Sequence, residues 1–278
     1  MARTNASNRT RTTILLRRQS NDTPAIRVDR DDGIAILTVS NADLKNALTL
    51  DMAHQLTDVC EQIDDDPTLG AVVIRGQGGT FCSGADTNSW SDTYADPMSD
   101  SAYAETDAMY GAFFRVGQIK VPTVCALRGA AVGAGLNLAL AADLRIVAKD
   151  ARLIAGFLKA GIHPGGGFFT ISSRVAGREA AAAMGMFSEE VSGIRAVEIG
   201  MAWEAVDDDT VEARALELAR RIASDPVLAR RVARSFRSET DPSPLPWSAA
   251  MEVERGVQIW TQARRLRRAG SVSTGAGQ

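Results

Sequence analysis

The stretch Gly129-Ala130-Ala131-Val132-Gly133-Ala134-Gly135-Leu136-Asn137-Leu138 decides the fold. It joins an apolar strand, residues 121–127, to a helical run, 136–142. Small residues at a strand-to-helix turn let a ligand approach the backbone closely. The N–H groups of a helix's first turn have no internal partner, so they can bind a negative oxygen. Gly133-Ala134-Gly135 begins like a dinucleotide-binding fingerprint, but its sixth position is Leu138 instead of a small residue. The acidic residue due roughly 20 positions later is missing as well. The sequence has no Gly-Lys-Ser/Thr phosphate loop and no Gly-x-Ser-x-Gly elbow. With two histidines and scattered cysteines, the spacing assembles no metal site.

A second glycine-bounded turn lies upstream, Phe81-Cys82-Ser83-Gly84-Ala85-Asp86, after a short apolar strand at 69–74 and the run Gly76-Gln77-Gly78-Gly79. Further back, segments 26–29 and 34–39 flank Asp32-Gly33, which predicts a tight hairpin. Leu56, Val59, Cys60 and Ile63 recur at helical spacing behind Thr49 as N-cap, and Asp64-Asp65-Asp66-Pro67 ends that helix. A polar, acidic stretch at 88–107 leads into a helix near 108–116.

Downstream, a strand at 144–148 and the start of another at 151–153 precede helical patterns from Thr170 onward, including 212–223 and 227–236. Pro242, Pro244 and Pro246 interrupt them before a last helix around 249–262. Alternating strands and helices followed by helices predict an α/β core with a helical C-terminal part. The expected division is a disordered extension at 1–25, a core at 26–190, a helical region at 191–262 and a disordered tail at 263–278.

A length of 278 residues suits one large α/β domain. Hydrophobic residues make up 45% and charged residues 23%, the balance of a soluble protein. A net charge of −3 gives no basic field for nucleic acid. Cys60, Cys82 and Cys125, odd in number and far apart, read as reduced, mostly buried thiols of a cytoplasmic protein. No apolar stretch approaches the roughly 20 residues of a membrane helix. The first 25 residues carry five arginines and one acid, Asp22. That composition fits an organelle transit peptide or a disordered extension, and the extension is the reading adopted.

Several ordered motifs together resemble the crotonase (enoyl-CoA hydratase/isomerase) superfamily. Residues 81–86 and 129–139, followed by Ala142-Asp143-Leu144-Arg145, resemble its paired signature. Asn46-Ala47-Leu48 and Gly161-Ile162-His163-Pro164-Gly165-Gly166-Gly167 resemble two further family segments, and the likeness runs from about Ile26 to Trp260. The resemblance implies a spiral of ββα units, a helical C-terminal trimerisation region, and a homotrimer or a dimer of trimers. It implies an acyl-CoA thioester as substrate, with no cofactor beyond the coenzyme A that the substrate carries. Two main-chain N–H groups would polarise the thioester carbonyl as an oxyanion hole, and the matching positions are Ala85 and Ala134. Lys45, Ala47, Ser83, Asp86, Thr87, Gly133 and Phe157 fall on segments that line the CoA and acyl site in relatives.

The departures are as informative. The family's hydratases carry one glutamate two residues after the last glycine of the helix-start turn, where this chain has Asn137. Their second glutamate lies seven residues before the proline, where this chain has Phe157. An amide and a phenyl ring cannot exchange protons with water, whereas each positioned carboxylate would contribute roughly 10² to 10⁴ in rate. Ordinary two-glutamate hydration is therefore not expected. His163 is the best-suited base in the sequence, or else a cap for the following helix. Asn137 could orient a water, donate to an oxyanion, or be structural. Asp92, Glu105, Asp107 and Tyr110 lie near the segment that covers the acyl pocket in relatives, and one of them could supply the missing acid. Cys82 reads as packing and Arg128 as an ion-pairing or subunit-contact residue.

Three functions are open. The first is an acyl-CoA lyase or isomerase working through an enolate, with His163 and Asn137 as its candidate catalytic groups. The second is a non-catalytic acyl-CoA-binding protein that kept the pocket. The third is an assembly protein that uses only the oligomeric scaffold and binds no thioester.

Overall fold

The structure, a computed structural model, describes residues 23–86, 95–240 and 246–274. Strands β1 (Ala25–Asp31) and β2 (Ile34–Ser40) form the expected antiparallel hairpin. Asp32 and Gly33 both take positive φ, 47° and 81°, the requirement of the tightest two-residue turn. Helix α1 (Leu50–Asp65) starts where Thr49 Oγ1 accepts from the Met52 N–H at 3.2 Å, and it buries Met52, Leu56, Val59, Cys60 and Ile63 on one face. From β2 on the main sheet is parallel: β3 (Ala71–Gly76), β4 (Thr123–Leu127), β6 (Leu144–Ala148) and β9 (Glu204–Val206) add in order, giving β1-β2-β3-β4-β6-β9. Buried on both faces, β3 and β4 read as continuous apolar runs.

A second, three-stranded sheet joins β5 (Ala130–Val132), β7 (Arg152–Ile154) and β8 (Glu190–Ser192). Helices α2 (Asp100–Gly117), α3 (Ala134–Ala141), α4 (Phe168–Phe187), α5 (Gly193–Glu198), α6 (Val211–Ala223), α7 (Pro226–Thr240) and α8 (Trp247–Thr274) complete the chain. Asp143 ties the sheet to α7, accepting from the Thr123 N–H at 2.8 Å and from Arg237 at 2.6 Å. Arg128 pairs with Asp208, as expected of an ion-pairing residue. Cys60, Cys82 and Cys125 are buried free thiols, and burial pushes each up to about 12. Among the described residues no helix is long and apolar enough to cross a membrane.

Three observations differ from the sequence expectations. Helix α2 begins at Asp100, inside the stretch expected as loop, because Ser99 caps it and Ala102, Thr106, Met109 and Phe113 bury one face. Helix α8 runs on over residues 263–274, assigned above to a disordered tail, since its arginines and leucine are good helix formers. The division at 190/191 has no counterpart, because β9 joins the main sheet and α6 packs across β3, β4 and β6. Most of the 1–25 extension lies outside the described residues.

Candidate active site

Two short parallel bridges build the site. Cys82 donates its N–H to the Ala130 carbonyl and its carbonyl accepts from Val132, both at 3.0 Å, which zips the 81–86 turn onto β5. Leu48 donates to the Gly84 carbonyl at 2.8 Å and accepts from the Asp86 N–H at 2.7 Å. Bonds on either side of Ala85 use its neighbours' groups, so its own N–H points away from Leu48. Asn46 sets the rim, donating from Nδ2 to the Gln77 and Thr80 carbonyls, each at 2.8 Å. Gly135 is where α3 meets this turn, and a Cβ there would lie 2.3 Å from the Cys82 carbonyl oxygen.

Ala134 is the first residue of α3, and its N–H is one of the amides the helix leaves unused. The Ala85 and Ala134 amides have no hydrogen-bond partner among the described residues. Both residues line one cavity of about 180 Å³, together with Ser83, Gly133, Asn137 and Phe157. Six residues singled out in the sequence thus converge. Phe157 presents its ring, packed 5.6 Å from that of Phe168, and Met109 and Phe113 of α2 extend the apolar lining. Asn137 is 1% exposed; its Nδ2 donates to the Gly165 carbonyl at 2.8 Å, while Oδ1 is buried without a partner among the described residues.

Other candidates stand elsewhere. Lys45, Ala47 and Asp86 are not among the lining residues. Lys45 holds the rim, its carbonyl accepting from the Ser83 N–H at 3.0 Å. Thr87 and Asp92 lie outside the described residues. His163 contributes its main chain to the loop, but its ring does not line the cavity. The ring lies edge-on to Phe169, and its Nδ1 is 2.6 Å from the Pro164 carbonyl. A carbonyl only accepts, so Nδ1 is the donor of that contact. Capping of the following helix falls to Glu254 instead, which accepts from the N–H groups of Gly167 and Phe168 at 2.7 and 3.2 Å. Asp107 is 64% exposed and paired with Arg255, and Glu105 is buried off the cavity.

Tyr110 does line the cavity, its hydroxyl donating to Gln258 Oε1. Burial first of all drives that phenol well above its ordinary value, so it stays protonated and neutral at neutral pH. Gln258, Gln262, Arg265 and Leu266 of α8 form a further wall. Their i, i+4, i+7, i+8 spacing marks one helix face. Three of the four are polar, so no apolar period marks the wall in the sequence, and Arg265 and Leu266 fall in the segment read as a tail. Among the described residues, no carboxylate and no imidazole lines the cavity. What the arrangement brings together is an apolar cavity lined by Ala85 and Ala134, two residues whose amides have no partner among the described residues.

Comparison with known proteins gives a consistent result. Residues 29–271 match the family model described as enoyl-CoA hydratase/isomerase. The chain is 36% identical over 239 residues to the probable enoyl-CoA hydratase EchA14 of Mycobacterium tuberculosis, covering 85% of this chain and 90% of that one. It is 29% identical over 228 residues to the 1,2-epoxyphenylacetyl-CoA isomerase of Escherichia coli, covering 82% and 86%. Among solved structures, OdaA of Pseudomonas aeruginosa matches with a TM-score of 0.73 at 30% identity, over 85% of this chain and 93% of that one. An enoyl-CoA hydratase from Mycobacterium avium subsp. paratuberculosis matches with a TM-score of 0.73 at 25% identity, over 85% and 92%.

Proposed function

Because the chain belongs to the enoyl-CoA hydratase/isomerase family and has the crotonase fold, we propose that it is an enzyme turning over an acyl-CoA thioester through an enolate held by the Ala85 and Ala134 amides. The observation that carries this reading is that Ala85 and Ala134, whose amides have no partner among the described residues, line one cavity with Asn137 and Phe157. Removing one such donor in other enzymes costs roughly 3 kcal/mol of transition-state stabilisation. Asn137 and Phe157 occupy the positions matched above to the two hydratase glutamates, so the proposed chemistry is a lyase or isomerase reaction other than two-carboxylate hydration. Asn137 orients the reacting group through an anchored amide, and Tyr110, bonded to Gln258, forms a polar edge of the cavity. His163 is placed in the loop rather than in the chemistry, on the position of its ring.

A specific observation also favours the second reading, a non-catalytic acyl-CoA-binding protein: the lack of carboxylate and imidazole among the described lining residues. A panel of acyl-CoA thioesters incubated with the protein and followed by mass spectrometry separates the two. A changed ester supports the enzyme, and binding without change supports the binding protein.

The proposed assembly is a homotrimer or dimer of trimers. Leu228, Val232 and Phe236 form an i, i+4, i+8 apolar stripe along α7, each about half exposed, and α8 presents Val253 and Val257. Three buried free thiols suit a reducing compartment, so the proposed location is the cytoplasm. Amide stabilisation of an enolate calls for no cofactor beyond the substrate's coenzyme A.

A further inference from the structure

Glu254 of α8 is 6% exposed, yet it reaches three main-chain amides at the start of α4. One carboxylate oxygen accepts from Gly167 at 2.7 Å and Phe168 at 3.2 Å, and the other from Phe169 at 3.4 Å. These are amides the helix leaves without internal acceptors. Two more α8 residues meet the two glycines just before Gly167. Trp247 Nε1 donates to the Gly166 carbonyl at 2.8 Å, and a Cβ on Gly165 would lie 2.2 Å from Gln258 Nε2. On the opposite side, Asn137 holds the Gly165 carbonyl. The glycine loop is therefore clamped between the cavity wall and α8, and α8 itself supplies Gln258, Gln262, Arg265 and Leu266 to that wall.

We propose that Glu254 is a positioning residue that couples the seating of α8 to the shape of the cavity, so that the α8 wall is held more or less firmly according to whether Glu254 carries a proton. The effect on ligand rests on the acyl-CoA reading of the cavity; the effect on α8 does not.

The direction follows from the surroundings. Burial pushes the Glu254 carboxyl up to about 7, and the three N–H bonds pull it down without prevailing. From α2 the bordering titratable group is Tyr110, a neutral phenol. On α8 itself the neighbours are Glu252 and Arg255, and Arg255 is taken up by Asp107 and Glu252. At the start of α4, Glu254 meets main-chain N–H groups. Among the described residues no cation pairs with the carboxylate. Were α8 to lift, Glu254 would meet water and return towards the ordinary value of 4.5. The seated state thus binds a proton more tightly than the lifted one. Seating is firmest below about 4.5, weakens as pH rises towards about 7, and is level above that.

The test is hydrogen–deuterium exchange of the full chain at pH 5 and pH 8, corrected for intrinsic rates, on peptides covering 166–171 and 254–262. In the wild type, opening should be at least tenfold more frequent at pH 8. Glu254→Gln keeps an uncharged acceptor and should stay firm at both pH values. Titration with crotonyl-CoA should follow: several-fold weaker binding at pH 8 in the wild type, and equal binding in the variant. An exchange ratio near one in the wild type, or the same pH dependence in both proteins, overturns the proposal. Should crotonyl-CoA bind neither protein while exchange behaves as stated, the acyl-CoA reading fails and the positioning role stands.

Discussion

Asn137 donates from Nδ2 to the Gly165 carbonyl at 2.8 Å, which fixes an amide at the start of α3 to the glycine loop 28 residues later. Because a carbonyl only accepts, the side-chain oxygen is the atom left over, and it is buried without a partner among the described residues. Asn137→Leu keeps the volume but strands the Gly165 carbonyl. It should cost about 1–3 kcal/mol of stability, read as a lower urea midpoint at unchanged slope. Asn137→Asp should cost more, since it turns an acceptor against an acceptor.

The Ala134 amide can be removed with its helix almost intact. Proline at a first helical position loses only an N–H that the helix does not use. Ala134→Pro should keep the far-ultraviolet circular dichroism of the wild type while lowering turnover of any ester processed by about 10² to 10³. Unchanged turnover would remove Ala134 from the chemistry.

How much of this was legible in the sequence depends on range. The hairpin at Asp32-Gly33, the Thr49 cap and the glycine turns around Ala85 and Ala134 are set by neighbours a few residues away, and they stand where the residues placed them. The α8 wall was not legible, because Glu254 meets Gly167 from 87 residues away. An arginine-rich segment without apolar period also resembles solvated tail until Leu266 is seen lining the cavity. His163 is a related case: residue type makes it the best base, and the structure sets its ring against Phe169 and the Pro164 carbonyl, off the cavity lining.

Global stability should carry the mark of Glu254. Its folded value, about 7, lies above the ordinary 4.5, so its share of stability is full below 4.5 and is lost as pH rises to about 7. The loss amounts to about 3 kcal/mol. Urea midpoints taken from pH 4.5 to 8 should fall more steeply in the wild type than in Glu254→Gln. Equal slopes would mean that burial does not govern this carboxyl.

The α7 stripe makes a separate statement about assembly. Multi-angle light scattering at micromolar concentration should give three or six times the 29.6 kDa chain mass. Val232→Glu with Phe236→Glu should reduce that mass while leaving the circular dichroism of the chain unchanged. A wild-type monomer would count against the proposed trimer.

The proposed cavity has two halves to test: it takes an acyl-CoA thioester, and it lacks the two-carboxylate route. One experiment addresses both halves: crotonyl-CoA is titrated calorimetrically into the protein, and its hydration is followed in the same preparation. Binding should be measurable, and hydration should fall below that of a two-glutamate hydratase by at least the roughly 10² to 10⁴ that one positioned carboxylate contributes. Hydration at ordinary hydratase rates would contradict the account.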